Sequence, residues 1–229
     1  GNNAICTGAS CPLAGLGGAP NDPTSDYAVQ FDGVDDFLTL NRTVQDDFTM
    51  AFWLKAPQAD IRQTLVESGD FNTDGFRLSL SNGGLVARVP GMGFQMQGRI
   101  DDGQWHHVAF SRSKSTGRID VYVDGSRVIG IEGTPGVTLN GSSDIRIGLQ
   151  RNNTLPLNAV LDGLQIFQGA IGLSLKWRVS NRMRSRIDSS VVASRGGDAT
   201  ARRKVAADDV SVTRSSSVLV QARADSNRS

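Results

Sequence analysis

Residues Phe48-Thr49-Met50-Ala51-Phe52-Trp53-Leu54-Lys55 decide the architecture. Phe48, Met50, Phe52 and Leu54 alternate with Thr49, Ala51, Trp53 and Lys55, a period of two along the whole run. Successive side chains of an extended chain point to opposite faces, so one face of this segment is built to meet a core. The pattern repeats on both sides. Tyr27 to Phe31 precedes Asp32-Gly33, and Phe37 to Leu40 follows it. Phe76, Leu78 and Leu80 alternate with Arg77, Ser79 and Ser81. Leu85 to Val89, Trp105 to Phe110, Ile119 to Val123, Ile145 to Ile147 and Val160 to Phe167 complete the set. Turn residues separate these runs at Asn82-Gly83-Gly84, Asp102-Gly103, Asp124-Gly125 and Asn140-Gly141. Such pairs favour tight antiparallel hairpins. About ten short strands with no helical period between them predict an all-β sandwich or jelly roll.

Composition agrees. The chain has 229 residues, of which 38% are hydrophobic and 26 are glycine. That is poor in apolar content and rich in turns, unlike a helical bundle. The formal charge of +1 hides an uneven split. Up to Asp162 there are 12 basic and 18 acidic residues; from Gly163 onward there are 12 basic and 5 acidic. Residues 1–26 cluster Gly, Pro, Asn, Asp and Ser and read as a leader or linker. Residues 27–171 carry the strand pattern. Residues 172–229 form a basic, low-complexity tail, and positions 178–229 hold none of the 14 aromatic residues. A segment with so little large apolar surface is expected to be disordered or marginal. No stretch approaches the ~18 apolar residues of a membrane-spanning helix. The chain starts at Gly1 without Met or signal peptide, which reads as a piece of a longer protein or a trimmed product.

Five segments resemble the laminin-G-like, concanavalin A-like jelly-roll family. They are Ala28 to Leu40 (AVQFDGVDDFLTL), Phe48 to Lys55, Asp102 to Phe110 (DGQWHHVAF), Arg118 to Gly125 (RIDVYVDG) and Leu161 to Phe167 (LDGLQIF). They occur in the family's order across residues 27–167. Cys6-Thr7-Gly8-Ala9-Ser10-Cys11-Pro12 is similar to the segment that precedes such domains in large bacterial surface proteins. Gln168-Gly169-Ala170-Ile171 departs from the family's closing turn, and nothing after Ile171 is similar. The resemblance implies a jelly-roll sandwich that serves as a non-catalytic extracellular or cell-surface binding or adhesion module. It implies other domains in a longer chain and a glycan or protein ligand.

The candidate sites are few. Asp70-Phe71-Asn72-Thr73-Asp74-Gly75 has the spacing of a calcium loop, with Asp70, Asn72 and Asp74 as oxygen donors. Ser81 stands where an EF-hand needs an acid, so a smaller oxygen cage is the form expected. A polar hairpin turn is the competing reading. Laminin-G-like domains often hold calcium, and the resemblance sets Asp32 and Asp162 on neighbouring first and last strands. That pair is a second candidate calcium clip, against which stands a turn role for Asp32 and a solvated Asp162. Cys6 and Cys11 lie close enough for a small disulfide loop, as the surface-protein context favours. His106 and His107 are adjacent on a predicted strand, so their rings face opposite ways and cannot share a metal.

Catalysis is disfavoured by residue types. A glycoside hydrolase needs two carboxyl groups across the scissile bond. The glucanases of this fold carry an E-x-D-x-x-E strand; here the only glutamates, Glu67 and Glu132, have no acid at that spacing. An accessory domain of a glycoside hydrolase or protease remains the alternative reading. No G-x-S-x-G segment occurs for a serine nucleophile. The basic tail lacks interleaved aromatics beyond Trp177, so no specific nucleic-acid partner is expected.

Overall fold

The computed structural model describes residues 6, 10–20, 27–44, 46–95, 98–170 and 217–219. The strands are β1 (Leu13–Gly17), β2 (Tyr27–Asp32), β3 (Leu38–Asn41), β4 (Phe48–Lys55), β5 (Arg62–Ser68), β6 (Phe76–Ser81) and β7 (Gly84–Val89). They continue with β8 (Met92–Gln95), β9 (Trp105–Arg112), β10 (Ile119–Val123), β11 (Ser126–Ile131), β12 (Asp144–Ile147), β13 (Asn158–Gln168) and β14 (Ser217–Leu219). One sheet runs β1-β2-β13-β4-β9-β10-β11, with β14 also paired to β13. The other, six-stranded sheet runs β3-β12-β5-β6-β7-β8. Every ladder is antiparallel. The result is a jelly-roll sandwich.

The core is what the alternation predicts. Phe48, Met50, Phe52 and Leu54 of β4 are buried with Phe76, Leu78 and Leu80 of β6 and Val108 and Phe110 of β9. Phe48 and Phe110 lie in one sheet and Phe76 in the other. Their ring centroids are 4.8 Å (Phe48–Phe76), 5.5 Å (Phe48–Phe110) and 5.8 Å (Phe76–Phe110) apart. The tilted Phe48–Phe76 and Phe76–Phe110 contacts stitch the two sheets together.

Two strands needed more than alternation. In β13, Asp162 faces Trp53 of β4 and Gln165 faces Ala51, so one extra residue bulges between them. Gly163 takes φ 58° there, a left-handed backbone that glycine adopts without strain. In β5 the register slips between Thr64 and Val66. That slip, with Gln63, Thr64 and Glu67, hides β5 from a period-two reading. The segment expected to be a leader is partly built into the sandwich. β1 pairs with β2 from Leu13↔Gln30 to Gly17↔Tyr27, and Ala19 is buried with its N–H donating to Asp162 at 2.7 Å. The expectation of a disordered tail over 172–229 lies outside the described residues, save Ser217–Leu219, whose backbone pairs with Gln165–Phe167.

The paired histidines separate as expected. His107 lies opposite Trp53, with ring centroids 5.1 Å apart on the outer face. His106 lies opposite the core residue Leu54, at the end of the sandwich. Its Nδ1 meets Asp124 at 2.7 Å and its Nε2 meets Asp102 at 3.1 Å. Burial alone would lower the imidazole pKa, but the two carboxylates outweigh it and raise it above the ordinary value. The ring ties the turn before β9 to the β10–β11 hairpin.

Two outcomes follow. Phe48→Ala should cost about 3–5 kcal/mol in urea denaturation, while Val34→Ala, at a position 70% exposed, should stay within about 0.5 kcal/mol. The His106 contribution is fully present below the unfolded value of 6.5 and fades as pH rises through the higher folded value. Thermal melts between pH 6 and 9 should therefore show the native chain losing stability relative to His106→Gln as pH rises. A constant difference would mean that the ring is not charged in the folded state.

Candidate functional site

The outer face of the six-stranded sheet is assembled from residues directly opposite one another. Arg146 of β12 faces Glu67 of β5, Glu67 faces Arg77 of β6, Arg77 faces Arg88 of β7, and Arg88 faces Gly93 of β8. Opposed residues share a face, and adjacent strands lie ~4.8 Å apart, so four charged side chains form one row. The residues one step along (Ile147, Val66, Leu78, Ala87) point into the core. The next rows bring in Arg62, Thr64, Ser79 and Ser81.

These charges are withdrawn from solvent. Glu67 is 2% and Arg77 is 3% exposed. Glu67 Oε1 accepts the backbone N–H of Arg151 at 2.5 Å. Burial pushes the Glu67 carboxyl up, against the opposing pull of Arg77, Arg151 and Arg146. Burial likewise pushes the Arg77 guanidinium down, and the Glu67 charge opposes it while Arg88 and Arg62 reinforce it. Arg77 Cζ sits 4.0 Å and Arg88 Cζ 5.4 Å from the centre of the Phe71 ring. Arg146 stacks on Phe37 at 3.9 Å and donates to Gln150 O, Arg151 O and Asn153 Oδ1.

Stacking on a ring favours the cation but does not use its N–H groups. The Nε atoms of Arg77, Arg88 and Arg146 are buried without a hydrogen-bond partner, as is the Thr64 hydroxyl. Among the described residues no hydrogen bond reaches any nitrogen of the Arg77 or Arg88 guanidinium. On the opposite outer face Thr49 and Ser111 hydroxyls bond each other at 3.2 Å, Asp120 is ion-paired with Arg118 and Arg127, and Asp162 accepts from Ala19 N–H with one oxygen while the other is buried without a partner.

The predicted metal ligands are distributed as follows. Asp70 Oδ1 accepts from Asn72 N at 2.8 Å and Asn72 Nδ2 at 3.0 Å, and Asp70 O accepts from Thr73, Asp74 and Gly75 N–H. Asp74 Oδ1 takes the Thr73 hydroxyl at 3.1 Å. The loop is thus laced internally. It closes at Gly75, where a Cβ would run into Ser68 O and Asp70 N. The structure does not bring Asp32 and Asp162 together. β13 matches Asn158 to Asp32, and Asp162 lies four residues farther along, ~13 Å at the rise of a strand. Asp32 converges instead with Asp35 and Asp36, whose ligand oxygens all lie within 4.8 Å of one another. Asp36 is buried and its carboxyl is pushed up, first by burial and then by the charges of Asp32 and Asp35. Cys6 and Cys11 form a disulfide. Glu132 is 81% exposed beside Arg118.

The sequence reading weighed Glu67 only as a hydrolase acid and did not single out the arginines. The signal was present in Arg77, which alternates with Phe76 and Leu78 and so had to face outward.

Comparisons with known proteins agree with the fold. The profile of Laminin_G_3, the concanavalin A-like lectin/glucanases superfamily, matches residues 31–174. No curated protein matches the chain. The fold is shared with the binding domain of botulinum neurotoxin serotype G at TM-score 0.55 and 14% identity, over 75% of this chain and 47% of that one. It is shared with the binding domain of Paraclostridial Mosquitocidal Protein 1 at 0.53 and 18%, over 71% and 45%. A structure of botulinum neurotoxin type C, whose cell entry is titled as dependent on interaction with two ganglioside molecules, matches at 0.54 and 13%, over 76% and 47%. The chain thus spans about half the length of these structures. With the profile covering more than half of its residues, the chain belongs to the concanavalin A-like lectin/glucanases superfamily.

Proposed function

We propose that the chain is a non-catalytic, extracellular binding or adhesion module that receives a glycan or a protein on the outer face of the six-stranded sheet. The Arg146–Glu67–Arg77–Arg88 row carries this reading, because the Nε donors of its three arginines are buried without partners. A buried polar group without a hydrogen bond costs free energy that a ligand can return. Family membership and the fold shared with the two binding domains named above support it. The Cys6–Cys11 disulfide supports an oxidising compartment.

A glucanase-like reading fits less well. Glu67 is flanked in its row by arginines rather than by a second acid, whereas hydrolysis needs carboxyl groups ~5–9.5 Å apart across the bond. The module as an accessory part of a hydrolase or protease is compatible with everything above.

Calcium belongs to the proposal as a structural ion. Calcium takes oxygens at about 2.3–2.6 Å, so two ligands on one ion lie at most ~5 Å apart. Asp32, Asp35 and Asp36 meet that condition, and a cation would offset the repulsion that raises Asp36. Asp70, Asn72 and Asp74 are the second location, where their present hydrogen bonds would have to yield.

Two measurements test these readings. Amide and side-chain NMR shifts of the full chain, titrated with neutral and acidic oligosaccharides and peptides, should move at Glu67, Arg77, Arg88 and Arg146. Shifts confined to Trp53, His107 and Tyr122 would move the site to the other sheet. Calorimetric calcium titration should show saturable binding and a chelator-sensitive melt that Asp36→Asn abolishes. Loss with Asp74→Asn instead would select the 70–74 loop, and an unchanged melt without heat would remove calcium from the account.

A further inference from the structure

We infer that the arginine row is an oxyanion site, and that the ligand carries its carboxylate or sulfate on a saccharide. This rests on the proposed binding face and names the chemistry that face selects.

The charge balance is the starting point. Arg62, Arg77, Arg88 and Arg146 share the face with one outward carboxylate in the row, Glu67. The adjacent Arg151 and Asp144 pair with each other and leave the excess unchanged. Asp70 attracts Arg77 only at longer range, and its Oδ1 is engaged by Asn72. The one row carboxylate already takes the Arg151 N–H at 2.5 Å.

Arg77 is the sharpest case. It is 3% exposed, stacked on Phe71, and its Nε has no partner. Arg88 lies beside it, over the same ring, with the same vacancy at Nε. A guanidinium presents a planar fork of donors that matches the two oxygens of a carboxylate or sulfate. Phe71 lies against both guanidinium groups, so less rotamer freedom is lost when the anion arrives. Gly93, opposite Arg88, has no side chain, and the Arg88 side chain lies over it, its Cζ and Nε 3.7 Å from where a Cβ would stand.

The surroundings favour a saccharide as the carrier. The rows next to the arginines hold the hydroxyls of Thr64, Ser79 and Ser81, the first two fully buried behind the arginines' row and Ser81 partly exposed at its end. Thr64 Oγ1 is buried without a partner, and Ser79 Oγ reaches only Val86 O at 3.5 Å. Sugar hydroxyls both donate and accept and so complement such groups.

Calorimetry on the full chain with three saccharide probes and a tetraglutamate peptide tests this. The saccharides are a glucuronate-containing disaccharide, its sulfated counterpart and its carboxyl-reduced neutral counterpart. The acidic pair should bind at least tenfold more tightly than the neutral sugar, and the gap should shrink between 25 and 150 mM salt, as screened charges require (about 10 Å at 0.1 M). Arg88→Gln, at a half-buried position, should lose about tenfold for the acidic probes and little for the neutral one. Arg77→Lys keeps the charge but not the fork and should lose a similar factor. Equal affinity for acidic and neutral sugars, with shifts on this face, would overturn the oxyanion site and leave the binding face standing. Tighter binding of a tetraglutamate peptide would overturn the saccharide assignment. No binding of any probe by a cooperatively melting chain would overturn the inference. The face itself would then stand or fall on the protein ligands of the NMR titration.

Discussion

The pairing of β13 with both β2 and β4 is the constraint on which the sandwich depends. It sets Asn158 against Asp32 and Gln168 against Phe48, contacts that close most of the sequence into one loop. Closing so long a loop costs entropy before any side chain is buried, and folds built from such pairings form slowly. Once made, the ladder leaves β4 between β13 and β9. The apolar face of β4 then meets Phe76 from the other sheet, and the remaining hairpins have a surface to condense on.

Within that frame, buried charges are handled in three ways. Asp46 is saturated: Lys114 Nζ donates at 2.8 Å, Leu139 N at 2.5 Å, and Arg112 stands 3.6 Å away. Burial would raise its carboxyl, yet these partners outweigh burial and hold it below the ordinary value. Asp162 is half satisfied, one oxygen taking Ala19 N–H and the other buried alone. Arg77 and Arg88 have a ring and a carboxylate row but no hydrogen bond at Nε. A fold that saturates Asp46 so fully has the means to satisfy a charge for its own stability. Arg112 beside Asp46 has the same buried, unpartnered Nε, so what sets Arg77, Arg88 and Arg146 apart is their clustering in one row.

The strands with clean alternation were legible from the residues alone. β4, β6 and β10 fall where Phe48–Lys55, Phe76–Ser81 and Ile119–Val123 place them. The strands that were not legible share a cause. β5 breaks period two with a bulge and carries polar residues on its outward side. β1 is a glycine-rich edge strand, and β8 and β11 follow tight turns that read as part of the loop. Because β5 supplies Glu67, the irregularity that concealed the strand also concealed the centre of the candidate site. The acid pair Asp32 and Asp162 shows the limit in another way. Strand adjacency was foreseeable, but register was not, and four residues of offset separate the two carboxylates.

The bulge at Gly163 has a consequence for what this sequence can tolerate. Side chains of β13 before it keep Leu161 inward and Asp162 outward; beyond it Ile166 is inward and Gln165 outward, still in step with β4. The extra residue works as a phase correction between two halves of one strand. A regular strand of the same length, without the bulge, would turn one half over, exposing Ile166 and burying Gln165, or force the pairing with β4 to slip by one. A single-codon deletion at residues 163–164 would instead remove the surplus residue and leave both halves in phase with β4. Lineages carrying this domain should thus accept loss of that residue more readily than a bulky β-branched side chain in place of Gly163, whose φ is 58°.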